Sequence, residues 1–170
     1  MLFKRVSAFG YKPSEMDESG LGYLWLDEMA KWLTNQGTLE GLTDMELGTG
    51  IYWAKALLDA DIRVTANLSC WEQPKGWTDD ERRTYRGILD HVVDVSVVGK
   101  SRPRERADAW IRNKKMVESS DLVLFILGDE TAGIVYKTQQ YAEELGKPWL
   151  KYNPRTNVVS GSEKFLGEKL

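Results

Sequence analysis

Residues 122–127 form an unbroken apolar run, Leu-Val-Leu-Phe-Ile-Leu. The run has the length of a strand and shows no alternation of apolar and polar positions, which is typical of a strand buried on both faces of a parallel sheet. A polar, glycine-containing loop follows at residues 128–133, and apolar or aromatic positions recur at helical spacing over residues 134–145. A Gly-Lys-Pro sequence then ends the helix before a short strand at residues 149–152.

Strand and helix patterns alternate through the rest of the chain as well. Strands are predicted at residues 2–9, 39–45, 63–68 and 92–98, and helices at 21–37, 51–60 and 106–119. A further helix is predicted after a cap at Thr78 or Asp79, with its end at residue 88 or 89. Five or six strands that alternate with helices predict a Rossmann-like three-layer α/β/α sandwich around a mainly parallel sheet. We expect one domain over residues 1–154. Residues 155–170 are polar, contain Gly and Ser and have no strong period, so we expect a peripheral C-terminal tail there.

The composition limits the classes of function. A chain of 170 residues with 42% hydrophobic and 29% charged residues is typical of one globular domain. No apolar run approaches the roughly 20 residues that span a bilayer, and no signal segment is visible. We therefore expect a cytoplasmic protein without a membrane partner. The chain contains one cysteine, Cys70, and one histidine, His91, so neither an internal disulfide nor a transition-metal site is expected.

Three predicted strand–loop–helix junctions contain glycine, at residues 10–13, 48–50 and 128–133. Such junctions place free backbone N–H groups at the carboxyl edge of a parallel sheet, where phosphates and sugars commonly bind. Lys12 in the first junction would face an anion. The alternative is that these glycines make ordinary tight turns.

A fourth loop, at residues 69–77, contains two tryptophans on either side of a glutamine. Trp71 and Trp77 would stack on a base while Gln73 forms hydrogen bonds with it; alternatively, the two rings cap an apolar edge of the core. The residues alone leave both interpretations open.

Several of these motifs match those of a known family. Gly10-Tyr11-Lys12-Pro13 resembles a Gly-Tyr/His-Lys/Arg-Pro turn after the first strand, and Cys70-x-x-Gln73-x-x-x-Trp77 resembles an aromatic-x-x-Gln-x-x-x-Trp loop. Further matches lie at Leu47-Gly48, Asn113-Lys114, Ser120-Asp121 and Gly146-Lys147-Pro148. The chain thus resembles the YpsA-like family of the SLOG superfamily, a Rossmann-like group that also includes DprA and the LOG phosphoribohydrolases. The resemblance covers residues 6–152.

The chain also departs from that family's pattern. Gly50 stands where an acidic residue is common, so a carboxylate contact to a ribose would pass to Asp44, Glu46, Asp129 or Glu130. Gly133-Ile134-Val135 approximates a Gly-Gly-Thr motif, so a threonine contact to phosphate is lost or moves to Thr131 or Thr138. The Pro-Gly-Gly-x-Gly-Thr-x-x-Glu motif of the LOG enzymes is absent, which weakens a phosphoribohydrolase assignment.

The resemblance implies binding of a nucleotide or an ADP-ribose-type ligand, cyclic NAD-derived forms included, by a protein that senses or sequesters a nucleotide signal. Some SLOG domains belong to signalling and antiviral conflict systems, so the roles that the resemblance implies include signalling and anti-defence. Asp129 and Glu130 favour hydroxyl recognition on their wall of the cleft, with the anion at Lys12 opposite. No cofactor is required. The expected ligand-binding residues are Gly10, Tyr11, Lys12, Pro13, Gly48, Thr49, Gly50, Trp71, Gln73, Trp77, Arg102, Asn113, Gly128, Asp129 and Gly133.

Three further expectations come from the same residues and resemblance. An enzyme that cleaves an N-glycosidic bond would use a carboxylate, with Glu46, Asp129 and Glu130 as catalytic candidates; such acids are otherwise helix caps or solvated surface. Nucleic-acid binding through the basic run at residues 100–106 is the least favoured function, because the net charge is −3. SLOG relatives commonly form homodimers or larger oligomers, and the tryptophans on predicted helices belong either to such an interface or to the core: Trp25, Trp32, Trp53 and Trp110.

Overall fold

Residues 3–99 and 105–162, the part of the chain that the computed structural model describes, fold around one seven-stranded sheet. The strands are β1 (Arg5–Gly10), β2 (Glu40–Thr43), β3 (Arg63–Leu68), β4 (Asp94–Val97), β5 (Leu122–Ile126), β6 (Trp149–Asn153) and β7 (Val158–Gly161). The helices are α1 (Leu21–Asn35), α2 (Thr49–Asp59), α3 (Asp79–Leu89), α4 (Glu105–Ser119) and α5 (Ile134–Glu144). The strand order is β4-β3-β2-β1-β5-β6-β7, and every pair is parallel except β6 with β7. The predicted Rossmann-like α/β fold is confirmed.

Strand β5 is buried on both faces of the sheet, as its apolar run predicts. Leu124 and Ile126 belong to the larger core cluster, with Leu26 of α1 and Leu57 of α2. The alternate residues Val123 and Phe125 belong to a second cluster with Met116 of α4 and Ala142 of α5. Because successive side chains of a strand point to opposite faces, α1 and α2 cover one face of the sheet, and α4 and α5 cover the other.

The chain reverses its direction of sheet growth between β1 and β5. Strands β1 to β4 are added outward on one side, and the chain then returns to place β5 on the free side of β1. Gly10 is in register with Ile126, and the Tyr11 N–H donates to the Ile126 carbonyl at 3.2 Å. The loops after β1 and β5 leave in opposite directions from such a point, so a crevice opens beyond the carboxyl ends of these two strands.

The structure adds a strand that the sequence pattern did not predict. The expected tail at residues 155–170 includes β7, which pairs antiparallel with β6. A tight turn joins the two strands: the Asn157 N–H donates to the Asn153 carbonyl at 2.8 Å, and Tyr152 Oη donates to Asn157 Oδ1 at 2.6 Å. An edge strand of four residues with an exposed Val158 lacks the apolar periodicity of a buried one. Residues 163–170 lie outside the described residues.

The described residues contain neither a candidate membrane-spanning helix nor a candidate metal-binding cluster. No helix in residues 3–99 and 105–162 combines the length and the apolar character that a bilayer span needs. In the same part of the chain, no group of three or more His, Cys, Asp or Glu residues is arranged to hold a metal ion.

Candidate functional site

A cleft of about 430 Å³ opens at the carboxyl ends of β1, β2 and β5, at the point where the sheet reverses its growth. Residues from four separate segments line it: the loop after β1, the loop after β2, helix α4, and the β5–α5 loop with the start of α5. They include Gly10, Tyr11, Lys12, Glu15, Asp44, Glu46, Leu47, Ala109, Arg112, Asn113, Glu130, Ala132, Gly133, Ile134 and Val135. The lining therefore combines carboxylates with two cations and the first turn of a helix.

Tyr11 connects the β1 loop to the β5–α5 loop. Its hydroxyl donates to Glu130 Oε1 and accepts the Gly128 N–H at 2.7 Å. Burial, followed by the hydrogen bond to Glu130, raises the pKa of Tyr11 to about 12, so the phenol stays neutral at physiological pH. Burial alone would raise the pKa of Glu130, but the Tyr11 hydrogen bond and the charge of Arg155 outweigh it and lower the pKa. Arg155 Nη2 lies 3.1 Å from Glu130 Oε1.

The glycines of the β2–α2 junction bring backbone segments together. Gly48 has a φ of +86°, and a Cβ there would lie 2.5 Å from the Tyr11 carbonyl oxygen. Thr49 Oγ1 donates to the same oxygen at 2.9 Å. A Cβ at Gly50 would overlap the Asp44 carboxylate. All three residues of this junction are buried behind the cleft and do not line it, so the structure gives them the packing role that was the alternative to ligand binding.

Arg112 is the centre of a polar network on the floor of the cleft. Its side chain is only 3% exposed, and its Nη1 lies 2.8 Å from Glu46 Oε1 and 3.3 Å from Gln73 Oε1. Arg112 Nε donates to Asn113 Oδ1 at 3.1 Å. Gln73 Nε2 donates to the Asp44 carbonyl at 2.9 Å, so Gln73 joins α4 to the β2 loop from behind the cleft.

Asp44 places a second carboxylate beside this network. The residue is 7% exposed, and its Oδ1 accepts the Glu46 N–H at 3.0 Å. Burial raises the pKa of Asp44 to about 6; the nearby Glu46 charge acts in the same direction, and Arg112 opposes both. The cleft therefore contains a carboxyl group that changes protonation state near neutral pH.

Helix α5 begins at the rim of the cleft without a side-chain cap. Gly133 is its N-cap residue, with a φ of 92° and no capping side chain. Gly133, Ile134 and Val135 line the cleft, so the uncapped first turn adjoins it. The first N–H groups of a helix have no partner within the helix and attract anions. Thr138 is engaged elsewhere, because it accepts from Asn113 Nδ2 at 3.1 Å and donates to the Ile134 carbonyl at 2.7 Å.

The structure brings together only part of the predicted site. The predicted residues that line the cleft are Gly10, Tyr11, Lys12, Asn113 and Gly133, together with the carboxylates Glu46 and Glu130. Gln73 and Gly128 contact lining residues from behind.

Other predicted residues lie away from the cleft. Trp71 is 62% exposed, and Trp77 packs edge-on against Tyr85 at 5.4 Å, so neither ring reaches the cleft as the stacking interpretation requires. Asp129 is exposed and outside the lining, and Pro13 starts a short 3₁₀ turn. Arg102 and the basic run up to residue 104 lie outside the described residues.

Arg112 lines the cleft but is not among the predicted ligand-binding residues. The signal was present: Arg112 is three residues after Ala109 and four before Met116, which is the spacing of the buried stripe of α4. A buried charged residue needs a partner of opposite charge, and the structure supplies the partly exposed Glu46. Of the tryptophans considered for an interface, Trp53 is fully buried, so it belongs to the core.

The chain is similar in sequence to proteins of the UPF0398 group. No protein-family model matches the chain. A UPF0398 protein of Bacillus anthracis strain A0248 is 23% identical over 142 residues, which cover 76% of this chain and 77% of that protein. UPF0398 is the YpsA group, so the resemblance that the motifs indicate is confirmed.

Solved structures share the fold at low identity. DNA processing protein A (DprA) of Helicobacter pylori, described for its single-stranded DNA binding mode, has a TM-score of 0.65 at 15% identity and matches 97% of this chain and 72% of its own. The molybdenum cofactor carrier protein of Chlamydomonas reinhardtii has a TM-score of 0.56 at 17% identity, with 97% and 83% covered. These likenesses establish the Rossmann-like fold.

Proposed function

We propose that the protein binds a nucleotide or an ADP-ribose-type ligand in this cleft and acts as a sensor or a sequestering protein for it. The observation that carries the proposal is that the cleft lining contains both groups that attract anions and carboxylates that accept hydrogen bonds. Lys12 and the uncapped start of α5 suit an anion. Carboxylates that accept hydrogen bonds suit the hydroxyl groups of a sugar, and the cleft volume of about 430 Å³ lies in the range of small-molecule sites.

Each part of the ligand has a counterpart in the lining. A phosphate at the N–H groups of Ile134 and Val135 would also be within the reach of a long lysine such as Lys12. Ribose hydroxyls would donate to Glu46 and Glu130. The hydroxyl role expected at Asp129 thus passes to Glu46, because Asp129 lies outside the cleft.

The similar proteins support binding as the activity. One is named as a carrier of the molybdenum cofactor, and another is described by its binding of single-stranded DNA. The proposal includes a cytoplasmic location, taken from the composition of the sequence, and a homo-oligomeric state, taken from the family resemblance.

Replacing Lys12 with Ala should separate phosphate binding from nucleoside binding. We expect the Kd for AMP, measured by calorimetric titration, to rise about tenfold, which corresponds to the loss of one charge-assisted hydrogen bond. The Kd for adenosine should change less than twofold. Lys31→Ala on the exposed face of α1 is the matched control and should change neither value. Equal losses for AMP and adenosine would place the anion on another wall.

Asp44 favours a second candidate, cleavage of an N-glycosidic bond. A carboxyl group with a pKa of about 6 would donate a proton to the leaving base near neutral pH, the Glu46 carboxylate beside it would face the positive charge that develops on the sugar, and water would add to the anomeric carbon. Incubation with nucleoside monophosphates and chromatography for free base tests this candidate. Release of base that Asp44→Asn abolishes supports the enzyme; intact nucleotide at saturating binding leaves binding as the activity.

A further inference from the structure

A second hollow of about 390 Å³ adjoins the cleft at the start of α5. Its lining consists of Ala107, Trp110, Gly133, Ile134 and Lys137. Gly133 and Ile134 line both hollows, so the two meet at the first turn of α5. We call the second hollow the Trp110 groove.

The chemistry of the Trp110 groove differs from that of the cleft. The Trp110 ring is half-buried, with Lys137 Nζ 4.4 Å and Lys114 Nζ 5.6 Å from the ring centroid. Tyr141 meets the ring edge-on at 5.8 Å. The described residues that line the groove supply an aromatic plane, two aliphatic side chains and an ammonium group but no carboxylate, whereas the cleft lining contains Glu15, Asp44, Glu46 and Glu130.

Among the described residues, the two aromatic side chains that line the cleft, Phe9 and Tyr11, are only 1% and 2% exposed, so neither offers a ring surface comparable with that of the half-buried Trp110. The Tyr11 hydroxyl is held by Glu130 and Gly128, and the Arg155 guanidinium lies 5.8 Å from the centre of its ring. The tryptophans of the loop at residues 69–77 do not line the cleft. A nucleotide base that needs a stacking partner therefore finds it at Trp110, on the far side of the shared Gly133 and Ile134.

We propose that the Trp110 groove is the base-binding subsite of a two-part ligand, a nucleoside diphosphate joined to a second, hydroxyl-rich group. The base stacks on Trp110, the diphosphate crosses Gly133 and Ile134, and the hydroxyl-rich group enters the cleft among its carboxylates. Lys137 leaves the ring face for the diphosphate, because its flexible stem ends in a mobile ammonium group. The inference rests on the proposed function and adds the class of ligand and the place of its base.

Calorimetric titration with ADP-ribose, AMP and ribose 5-phosphate tests the inference. AMP carries the base end of ADP-ribose, and ribose 5-phosphate carries its hydroxyl-rich end. The unaltered protein should bind ADP-ribose at least about tenfold more tightly than either fragment. Trp110→Ala should raise the Kd for ADP-ribose and for AMP about tenfold, the effect of one lost stacking contact. It should change the Kd for ribose 5-phosphate less than about twofold. Trp110→Phe should retain most of the affinity for ADP-ribose.

A second variant fills the groove without removing the ring. Ala107 is exposed and lines the groove, so Ala107→Phe should fold normally and give the same selective loss for ADP-ribose and AMP. Thermal unfolding of each variant identifies any that does not fold. Equal effects on all three probes, or none, would overturn the inference and leave the proposed function standing. If the unaltered protein binds none of the probes, both fail.

Discussion

Arg112→Met is expected to lower the free energy of unfolding at pH 7 by about 2–3 kcal/mol, less than the roughly 3–5 kcal/mol of a fully buried pair because the Glu46 side chain is 38% exposed and water screens the charge left behind. Arg112 is 3% exposed and faces Glu46 at 2.8 Å. Methionine fills similar space but leaves Glu46, and Asp44 beside it, without a neighbouring cation. Urea denaturation followed by circular dichroism measures the change, provided that the slope of the transition stays constant.

Arg83→Met is the matched control for this prediction. Arg83 pairs with Asp80 at 2.7 Å on the surface of α3, where the two side chains are 77% and 88% exposed. Such pairs contribute little, so the loss should stay within about 0.5 kcal/mol. The double variant Arg112→Met with Asp44→Asn should recover part of the stability, because it removes a carboxylate that the arginine had stabilised. A loss below about 1 kcal/mol for Arg112→Met would mean that the network contributes little to stability.

The elements predicted best are those with strong local signals at both ends. Strand β3 matches its predicted range at residues 63–68, and α3 has Thr78, one of its two predicted caps, and ends at Leu89, one of its two predicted ends. Thr78 caps α3 in a reciprocal arrangement with Glu81: each side chain accepts the backbone N–H of the other residue. A capping box of this kind is visible in the sequence because the two residues are three positions apart.

Features that depend on distant partners were not predictable in this way. Strand β7 is defined by its pairing with β6 rather than by its own pattern. Arg112 and Glu46 are 66 positions apart, and nothing local in either segment indicates that they meet. The glycines of the β2–α2 junction were predicted to bind a ligand or to make a tight turn, and neither interpretation indicates that the groups close to them are the Tyr11 carbonyl and the Asp44 carboxylate of the chain itself.

The candidate site thus keeps a buried carboxylate whose charged form opposes folding. The Asp44 carboxylate lies against Gly50 at the start of α2, where a Cβ would overlap it, and the Glu46 carboxylate is nearby. A cleft that holds an ionisable group out of water reduces stability, and sites that bind or catalyse commonly retain such groups. The free energy of unfolding should therefore depend on pH through the ionisation of Asp44.

Asp44→Asn should increase stability at neutral pH and leave it unchanged in acid. The pKa of Asp44 is raised from 3.8 to about 6 in the native state, first by burial. Between these values the native state binds more protons than the unfolded state, so the contribution of Asp44 to stability is lost as pH rises through about 6. Asparagine does not titrate. The variant should therefore equal the unaltered protein near pH 4 and exceed it by about 3 kcal/mol at pH 7, at 1.36 kcal/mol per pKa unit.

Unfolding free energies from urea titrations between pH 4 and pH 7 give the difference between the two proteins directly. Asp59→Asn on the exposed end of α2 is the same substitution in solvent, and its difference should change by less than about 0.5 kcal/mol across the range, because exposed charges interact weakly. A flat difference for Asp44→Asn would show that the carboxylate is solvated or fully neutralised by Arg112. A rising difference together with weaker AMP binding would identify Asp44 as a ligand-contacting group retained at a cost in stability.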